Sequence, residues 1–249
     1  MKITVIGTGY LGATHAVGMA ELGHDVLGVD VDPVKVSALS AGRVPFYEPG
    51  LEELLQANLA AGRLRFGTSL AEAGRFGEVH FVCVGTPQQP SSHAADLRFV
   101  DAAMTDLLPH LQPGALVVGK STVPVGTADR LAGQLAAGGP SGAELAWNPE
   151  FLREGFAVQD TLRPDRLVFG TAPVGRGETV LREVYAPLLA AGTPLVVADY
   201  ATAELVKVAA NAFLATKISF INAMAELCEG TGGDVTLLAE ALAHDGRIV

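Results

Sequence analysis

Lys2-Ile3-Thr4-Val5-Ile6-Gly7-Thr8-Gly9-Tyr10-Leu11-Gly12 is the stretch whose reading decides the fold. Lys2–Ile6 is a short β-branched run that stops at a glycine, as a strand buried on both faces does. Leu11–Leu22 follows with apolar residues at helical spacing and ends at Gly23, a residue suited to the position just past a helix. Asp25–Asp30 is the next strand. Strand, glycine turn, helix and strand form a βαβ unit. In such a unit Gly7 permits the tight turn, Gly9 lets the backbone approach a diphosphate, and Gly12 lets helix and strand pack closely. The diphosphate then lies at a helix N-terminus, where free amides and the macrodipole favour negative charge. A lone G-x-G-x-x-G says little in a chain with 29 glycines. Its place after a strand, at the head of a helix and ahead of an acidic residue ending the next strand makes it a dinucleotide fingerprint. Asp30 is set to accept from ribose hydroxyls and to repel a 2′-phosphate, which favours NAD over NADP. Lys35 lies nearby and reads equally as a cofactor contact or a solvated helix lysine.

Outward from this unit the alternation continues. Helices are expected at Asp32–Ala41, Pro49–Ala61, Leu97–Leu111 and Thr127–Ala137, and strands at Glu78–Val84, Ala115–Lys120 and Glu144–Trp147. Leu167–Gly170, Gly177–Leu189 and Leu195–Val197 add a strand, a helix and a strand. The pattern predicts an α/β fold with a doubly wound parallel sheet, Rossmann-like, over residues 1–199. Gln88–His93 and Gly138–Gly142 read as surface loops. From Ala201 to Gly230 the texture changes to one long helical period without proline, longer than an ordinary helix. Val235–Ala243 is a short helix and Asp245–Val249 a loop. Residues 200–249 thus read as a long connecting helix and the start of a helical central, dimerisation region.

Composition bounds the chemistry. Hydrophobic residues make up 49% and charged residues 18%, which excludes a disordered chain. A net charge of −10 argues against nucleic acid or an anionic membrane as partner. The glycines and the polar Thr8, Thr14 and His15 break up the first apolar run, so it is not a secretory signal. No uninterrupted apolar run reaches membrane-spanning length. Cys83 and Cys228 are far apart in apolar surroundings, offering neither a disulfide framework nor zinc spacing. A cytoplasmic protein with no metal site is the expectation.

Further motifs sit at strand ends. Gly85-Thr86-Pro87 ends one strand at the edge where cofactors lie, and reads as a cofactor wall or as an ordinary loop. Lys120-Ser121-Thr122-Val123-Pro124 ends another, so the hydroxyls of Ser121 and Thr122 point to the edge where nicotinamide and substrate meet. In Asn148-Pro149-Glu150-Phe151-Leu152-Arg153-Glu154-Gly155 the two glutamates are four apart. On a helical turn their like charges would share a face, either solvated or part of a site. Lys207 and Asn211 are also four apart among small apolar residues, which predicts at least partial burial. They read as donors aimed at one developing oxyanion, or as a lysine snorkelling to water beside a capping asparagine.

Taken in order, Met1–Gly12, Val29–Asp32 with Lys35, Pro49–Leu51, Val84–Pro87, Lys120–Pro124, Asn148–Gly155, Pro164–Arg166, Ala203–Glu229 and Asp245–Ile248 resemble the UDP-glucose/GDP-mannose dehydrogenase family across essentially the whole chain. Pro164–Arg166 and Ala212–Asn222 look like its UDP-glucose branch. The resemblance implies oxidation of the sugar C6 alcohol to a carboxylate with two NAD+ per turnover, through an aldehyde, a cysteine thioester and hydrolysis. It implies that Glu150 is the acid/base for thioester hydrolysis, that Lys207 and Asn211 stabilise the oxyanion, and that Thr122 helps hold the catalytic water. Gly7, Gly9, Tyr10, Leu11, Gly12, Asp30, Lys35, Thr86, Pro87, Ser121, Thr122 and Glu154 are the expected cofactor contacts. Phe151, Leu152, Arg153, Glu154, Lys207, Asn211 and Arg247 are the expected contacts to UDP-glucose, Arg247 from across a homodimer interface.

The sequence departs from the family pattern at its end. The family's nucleophilic cysteine lies in a Gly-Phe-Gly-Gly-Ser-Cys type segment beyond the position of Arg247, followed by a second Rossmann-like domain for the UDP moiety. Neither Cys83 nor Cys228 matches that position. The expectation is a fragment that binds NAD without full turnover and pairs through the exposed apolar stripe of Ala201–Gly230. A dehydrogenase of another nucleotide sugar (GDP-mannose or a UDP-N-acetylhexosamine) and a non-catalytic NAD-binding module are the alternatives.

Overall fold

The structure, a computed structural model, describes residues 1–90 and 92–248. The chain divides into two compact units, residues 1–205 and 206–249. The first carries, in chain order, β1 (Lys2–Ile6), α1 (Tyr10–Glu21), β2 (Asp25–Val29), α2 (Pro33–Ser40), α3 (Leu51–Ala60), β3 (Leu64–Gly67), α4 (Leu70–Phe76) and β4 (Val79–Val82). It continues with α5 (Arg98–Leu107), β5 (Leu116–Gly119), α6 (Thr127–Gly138), β6 (Glu144–Trp147), α7 (Ala157–Leu162), β7 (Leu167–Thr171), α8 (Gly177–Val184), α9 (Ala186–Ala190) and β8 (Leu195–Ala198).

The eight strands form one sheet in the order β3-β2-β1-β4-β5-β6-β7-β8. The order reverses between β1 and β4, the switch point where a doubly wound sheet opens a ligand crevice. β1, β4 and β5 are apolar in the middle of the sheet because helices cover both faces. Ile3, Val5, Phe81, Leu116 and Val118 are fully buried there, packed with Ala13, Ala16 and Val17 of α1. The small residues of α1 bring it close to the sheet, which is what aligns its N-terminus with the end of β1.

The expected parallel sheet holds with one exception: β6 and β7 pair antiparallel, with Trp147 opposite Gly170. The chain therefore leaves β6 and re-enters the sheet from the same edge. The intervening segment, residues 148–166, begins at the sheet edge where β6 ends and carries α7, whose Thr161 packs against Gly18 of α1. That single reversal places the Asn148–Gly155 loop near the glycine turn.

Several element limits differ from the sequence reading for local reasons. β3, α4 and α7 leave no mark in the sequence pattern, since each is too short to display a period, four to seven residues long. The helix expected to Leu111 ends at Leu107 and tightens into a 3-10 turn at Leu108–His110, since Pro109 supplies no amide hydrogen. The helix expected over Gly177–Leu189 breaks at Tyr185, just before Pro187. α2 starts where Asp32 accepts from the amides of Val34 (2.9 Å) and Lys35 (3.4 Å), with Pro33 at its first position.

The second unit is helical. α10 (Tyr200–Thr231) begins in the first unit and continues into the second, followed by α11 (Val235–Ala243), which Asp234 caps through the Thr236 amide at 2.7 Å. By length and mean hydropathy (1.3), α10 is long and apolar enough to cross a membrane. Glu204, Lys207, Asn211, Lys217, Asn222, Glu226 and Glu229 interrupt its apolar residues. Phe213, Leu214, Ile218, Phe220, Leu227 and Leu237 are exposed along the pair of helices.

Candidate functional site

The glycine turn is built by contacts only glycine allows. Gly7 has φ of +85°, and a Cβ there would meet the Val84 backbone at 2.9 Å. A Cβ on Gly12 would lie 1.7 Å from the Gly7 carbonyl oxygen. At Gly9 a Cβ would meet nothing within 4 Å, so the backbone there faces open space. Gly9 is also the N-cap of α1 and offers no side-chain cap, leaving the first amides of the helix for a ligand.

Asp30 is buried at the end of β2. One carboxylate oxygen accepts from the Thr8 amide (2.8 Å) and hydroxyl (3.2 Å), the other from the Asp32 amide (3.0 Å). Lys35 Nζ stands 3.3 Å from both oxygens. Burial pushes the Asp30 carboxyl up, but the amide donors and the Lys35 ammonium outweigh it and hold the group below its usual range. Lys35 is thus paired with Asp30 while its side chain stays 39% exposed.

These residues border a crevice of about 560 Å³, within the size range of cofactor sites. Gly7, Gly9, Asp30, Lys35, Gly85 and Pro87 line one side. Leu70 of α4 and Phe99, Ala102 and Ala103 of α5 line the other. The sequence reading missed this apolar wall: the helical period of α5 gave a core face, with Val100, Ala103, Met104 and Leu107 buried, and Phe99 sits beside it. Tyr10 and Leu11 do not line the crevice with their side chains. The Tyr10 hydroxyl donates to Glu48 at 2.5 Å, and Leu11 borders a smaller cavity beneath the 148–152 segment. Any contact they make to a dinucleotide is through the backbone at the head of α1.

The neighbouring loops are tied together. Thr86 Oγ1 donates to the Thr122 carbonyl (2.7 Å), and Ser121 Oγ to the Val84 carbonyl (2.7 Å). Below them lies a buried group that the sequence reading did not single out. Lys120 Nζ donates to Asn148 Oδ1 (2.9 Å), Tyr185 donates to the same oxygen (2.6 Å), and Asn148 Nδ2 donates to the Val168 carbonyl (3.0 Å). The ends of β5 and β6 and the start of β7 are locked by this cluster. A lysine inside K-S-T-V-P and an asparagine ahead of a proline were the available signals.

The Asn148–Gly155 segment differs from its expected form. Glu150 and Glu154 do not share a helical face; they lie in irregular backbone, with Glu150 half-buried and Glu154 exposed. The left-handed Gly155 (φ +82°) turns the chain at the end of this segment. Carboxylates take up the loop amides instead: Glu150 accepts from Leu152 N (2.7 Å), Asp160 from Arg153 N (2.8 Å) and Glu48 from Gly155 N (2.9 Å). Arg153 also reaches Asp160 through its guanidinium (2.6 Å), and Arg166 stacks on Phe151 at 4.0 Å.

In the second unit Lys207 and Asn211 stand one turn apart on α10, Lys207 buried and Asn211 exposed. The expected partial burial thus holds for the lysine and fails for the asparagine, because the apolar residues flanking Asn211 are themselves exposed, Phe213 and Leu214 included. Arg247 is exposed and bidentate on Asp245, nearest contact 2.6 Å. Cys83 is buried behind the glycine turn, and burial pushes its thiol up to about 12. Cys228 is buried in α10. Among the described residues no group of three or more His, Cys, Asp and Glu side chains could hold a metal ion.

An open cradle at Gly9, amides at a helix head and a buried carboxylate at the next strand end fit a dinucleotide lacking a 2′-phosphate. The description "UDP-glucose/GDP-mannose dehydrogenase family, NAD binding domain" matches residues 1–189, and that family's central domain matches residues 201–249. A UDP-glucose 6-dehydrogenase of Rhizobium meliloti is 46% identical over all of this chain and 57% of its own length. A UDP-glucose dehydrogenase structure from Pyrobaculum islandicum superposes with a TM-score of 0.93 at 44% identity, covering 99% of this chain and 57% of the other. A GDP-mannose dehydrogenase structure from Pseudomonas aeruginosa gives 0.92 at 30% identity, covering 98% and 57%. The chain thus spans just over half the length of the relatives it matches. With a NAD-binding domain over its first 189 residues, the chain belongs to the UDP-glucose/GDP-mannose dehydrogenase family.

Proposed function

We propose that these residues are the cofactor-binding part of an enzyme that oxidises the C6 alcohol of UDP-glucose to the carboxylate of UDP-glucuronate. One observation carries the reading. A dinucleotide crevice ending at Asp30 and a loop bearing Glu150 meet at one sheet edge, in a chain 46% identical to a UDP-glucose 6-dehydrogenase. Fold likeness is nearly the same for the UDP-glucose and GDP-mannose enzymes, but identity is 44% against 30%, which favours UDP-glucose.

Bound NAD+ supplies the acceptor for the hydride removed from C6 in each of two oxidations. The chain's own residues bind and orient. Gly7–Gly12 and the head of α1, including the Tyr10 and Leu11 backbone, hold the diphosphate, and Asp30 with Lys35 holds the ribose. Thr86, Pro87, Ser121 and Glu154 border the remainder. Phe151, Leu152, Arg153 and Arg247 contact the nucleotide sugar, Arg247 from a second copy. Glu150 moves the proton in hydrolysis, Thr122 holds the water, and Lys207 and Asn211 donate to the developing oxyanion. Neither cysteine suits the covalent step: the Cys83 thiol is shielded and pushed up to about 12, and Cys228 is buried in a helix. On this reading these 249 residues bind NAD without carrying UDP-glucose through to UDP-glucuronate.

The exposed apolar residues of α10 and α11, with a crevice of about 600 Å³ between Phe213, Phe220, Leu242 and Ile248, support a homodimer formed through this unit. Light scattering at high micromolar concentration is expected to give twice the monomer mass; a monomeric mass counts against the dimer. Calorimetric titration is expected to show NAD binding tighter than NADP. UDP-glucuronate formed from UDP-glucose by these residues alone would refute the assignment of a non-covalent, cofactor-binding role.

A further inference from the structure

Glu48 lies in the connection between α2 and α3, outside every motif singled out in the sequence, and it is buried while its neighbour Tyr47 is 86% exposed. Its carboxylate collects four neutral donors. One oxygen accepts from the Tyr10 hydroxyl (2.5 Å) and the Gly155 amide (2.9 Å). The other accepts from the amides of Ala157 (2.8 Å) and Val158 (3.5 Å), at the head of α7. A buried carboxylate is tolerable when donors saturate it in this way.

The donors come from two places that chain connectivity keeps apart. Tyr10 is the first residue of α1, next to the Gly9 cap where a diphosphate would sit. Its ring leans on Phe46, centroids 5.0 Å apart, so the hydroxyl is held toward Glu48. Gly155 closes the loop that carries Glu150 and the expected sugar contacts. Its left-handed conformation turns the amide inward. Burial and the adjacent Glu48 push the Tyr10 hydroxyl upward, so it remains a donor at any neutral pH. The other clamp on the loop, Asp160 with Arg153, joins the loop to α7 and does not touch the glycine turn.

We infer that Glu48 is a positioning residue: it sets the substrate-contacting loop against the dinucleotide turn, and occupation of the turn by NAD is transmitted to the loop through the Tyr10 hydroxyl. The inference rests on the NAD-binding reading above. Coupling of this kind is carried by a contiguous hydrogen-bonded chain and is reciprocal between its two ends.

Amide hydrogen exchange at Gly155, Ala157 and Val158, measured without NAD and at saturating NAD, tests it. In the natural sequence NAD is expected to slow exchange at these amides about fivefold or more, the lower range of typical couplings. In Tyr10→Phe, again at saturation, that slowing is expected to vanish. In Glu48→Gln the side-chain oxygen can still accept from Ala157 and Val158, but an amide NH2 then faces Gly155, so protection is lost at Gly155 and kept at Ala157. Asp160→Asn is the control for mere loosening: exchange in the loop rises, and the NAD-dependent slowing at Gly155 stays. NAD binding with no slowing in the natural sequence, or slowing undiminished in Tyr10→Phe, overturns the inference alone. Failure of the natural sequence to bind NAD overturns the functional reading and the inference with it.

Discussion

The glycine turn and the Asn148–Gly155 loop meet at the same sheet edge, and they are shaped in opposite ways. The turn is local. Its course follows from a left-handed Gly7, a Gly12 pressed on the Gly7 carbonyl and the strand and helix on either side. The loop is held internally only in part, by Glu150 on the Leu152 amide. Two of its amides are claimed by Glu48, more than a hundred residues earlier in the chain, and by Asp160, and its base is held by the Lys120–Asn148–Tyr185 cluster. A locally encoded site tolerates change elsewhere; a loop held by distant side chains does not.

The sharpest way to break the contrast is Gly12→Ala. The added methyl would start 1.7 Å from the Gly7 oxygen, so α1 must move off β1. A loss of about 3 kcal/mol, at the upper end for overpacking, is expected in urea unfolding, with NAD binding abolished in calorimetry.

Acid separates the two regions next. His15 and His80, both in the scaffold of the turn, are buried with Nε2 unpartnered, and burial holds both below the usual histidine value, His80 at about 4. A depressed histidine contributes stability that is present above its unfolded pKa, about 6.5, and is lost as pH falls toward the folded value. His80 alone is expected to cost about 3 kcal/mol between those limits, order of magnitude, because the unfolded chain takes up the proton first. His80→Gln should flatten the slope of unfolding free energy against pH in that window. The loop clamp responds later. Burial raises the Asp160 carboxyl, but hydrogen bonds from Arg153 outweigh that and leave it depressed. Its contribution is therefore present above about pH 3.9 and lost only as pH falls through the lower folded value.

Asp30→Ala is expected to weaken NAD binding by about 2 kcal/mol, the worth of hydrogen bonds to a charged group, and to erase the preference over NADP. Competition titrations read both effects. The smallest expected change is Asp160→Asn, which frees Arg153 and quickens exchange in the loop while leaving the global unfolding midpoint nearly unmoved.

Legibility followed the same division. Gly7, Gly9, Gly12 and Asp30 could be read from the chain because strand, turn, helix and strand lie within one short stretch. The Leu167–Gly170 strand was legible in its position but not in its direction: periodicity records which face is buried and carries no sign for parallel or antiparallel. The helical pairing expected for Glu150 and Glu154 failed because four-residue spacing implies a shared face only if the intervening amides bond along a helix. Here the Leu152 amide turns back to Glu150 itself and the Arg153 amide bonds to Asp160, so no helical ladder forms between the two glutamates.

Sequence alone therefore determined the βαβ unit, its dinucleotide chemistry and the family, all of which depend on neighbouring residues and on motifs in order. Tertiary structure decided that β7 reverses, that the loop returns to the cofactor edge, and that Glu48 joins that loop to Tyr10. The reason is physical. Backbone turns and capping are paid for within a few residues, whereas a buried carboxylate finds its donors wherever packing brings them.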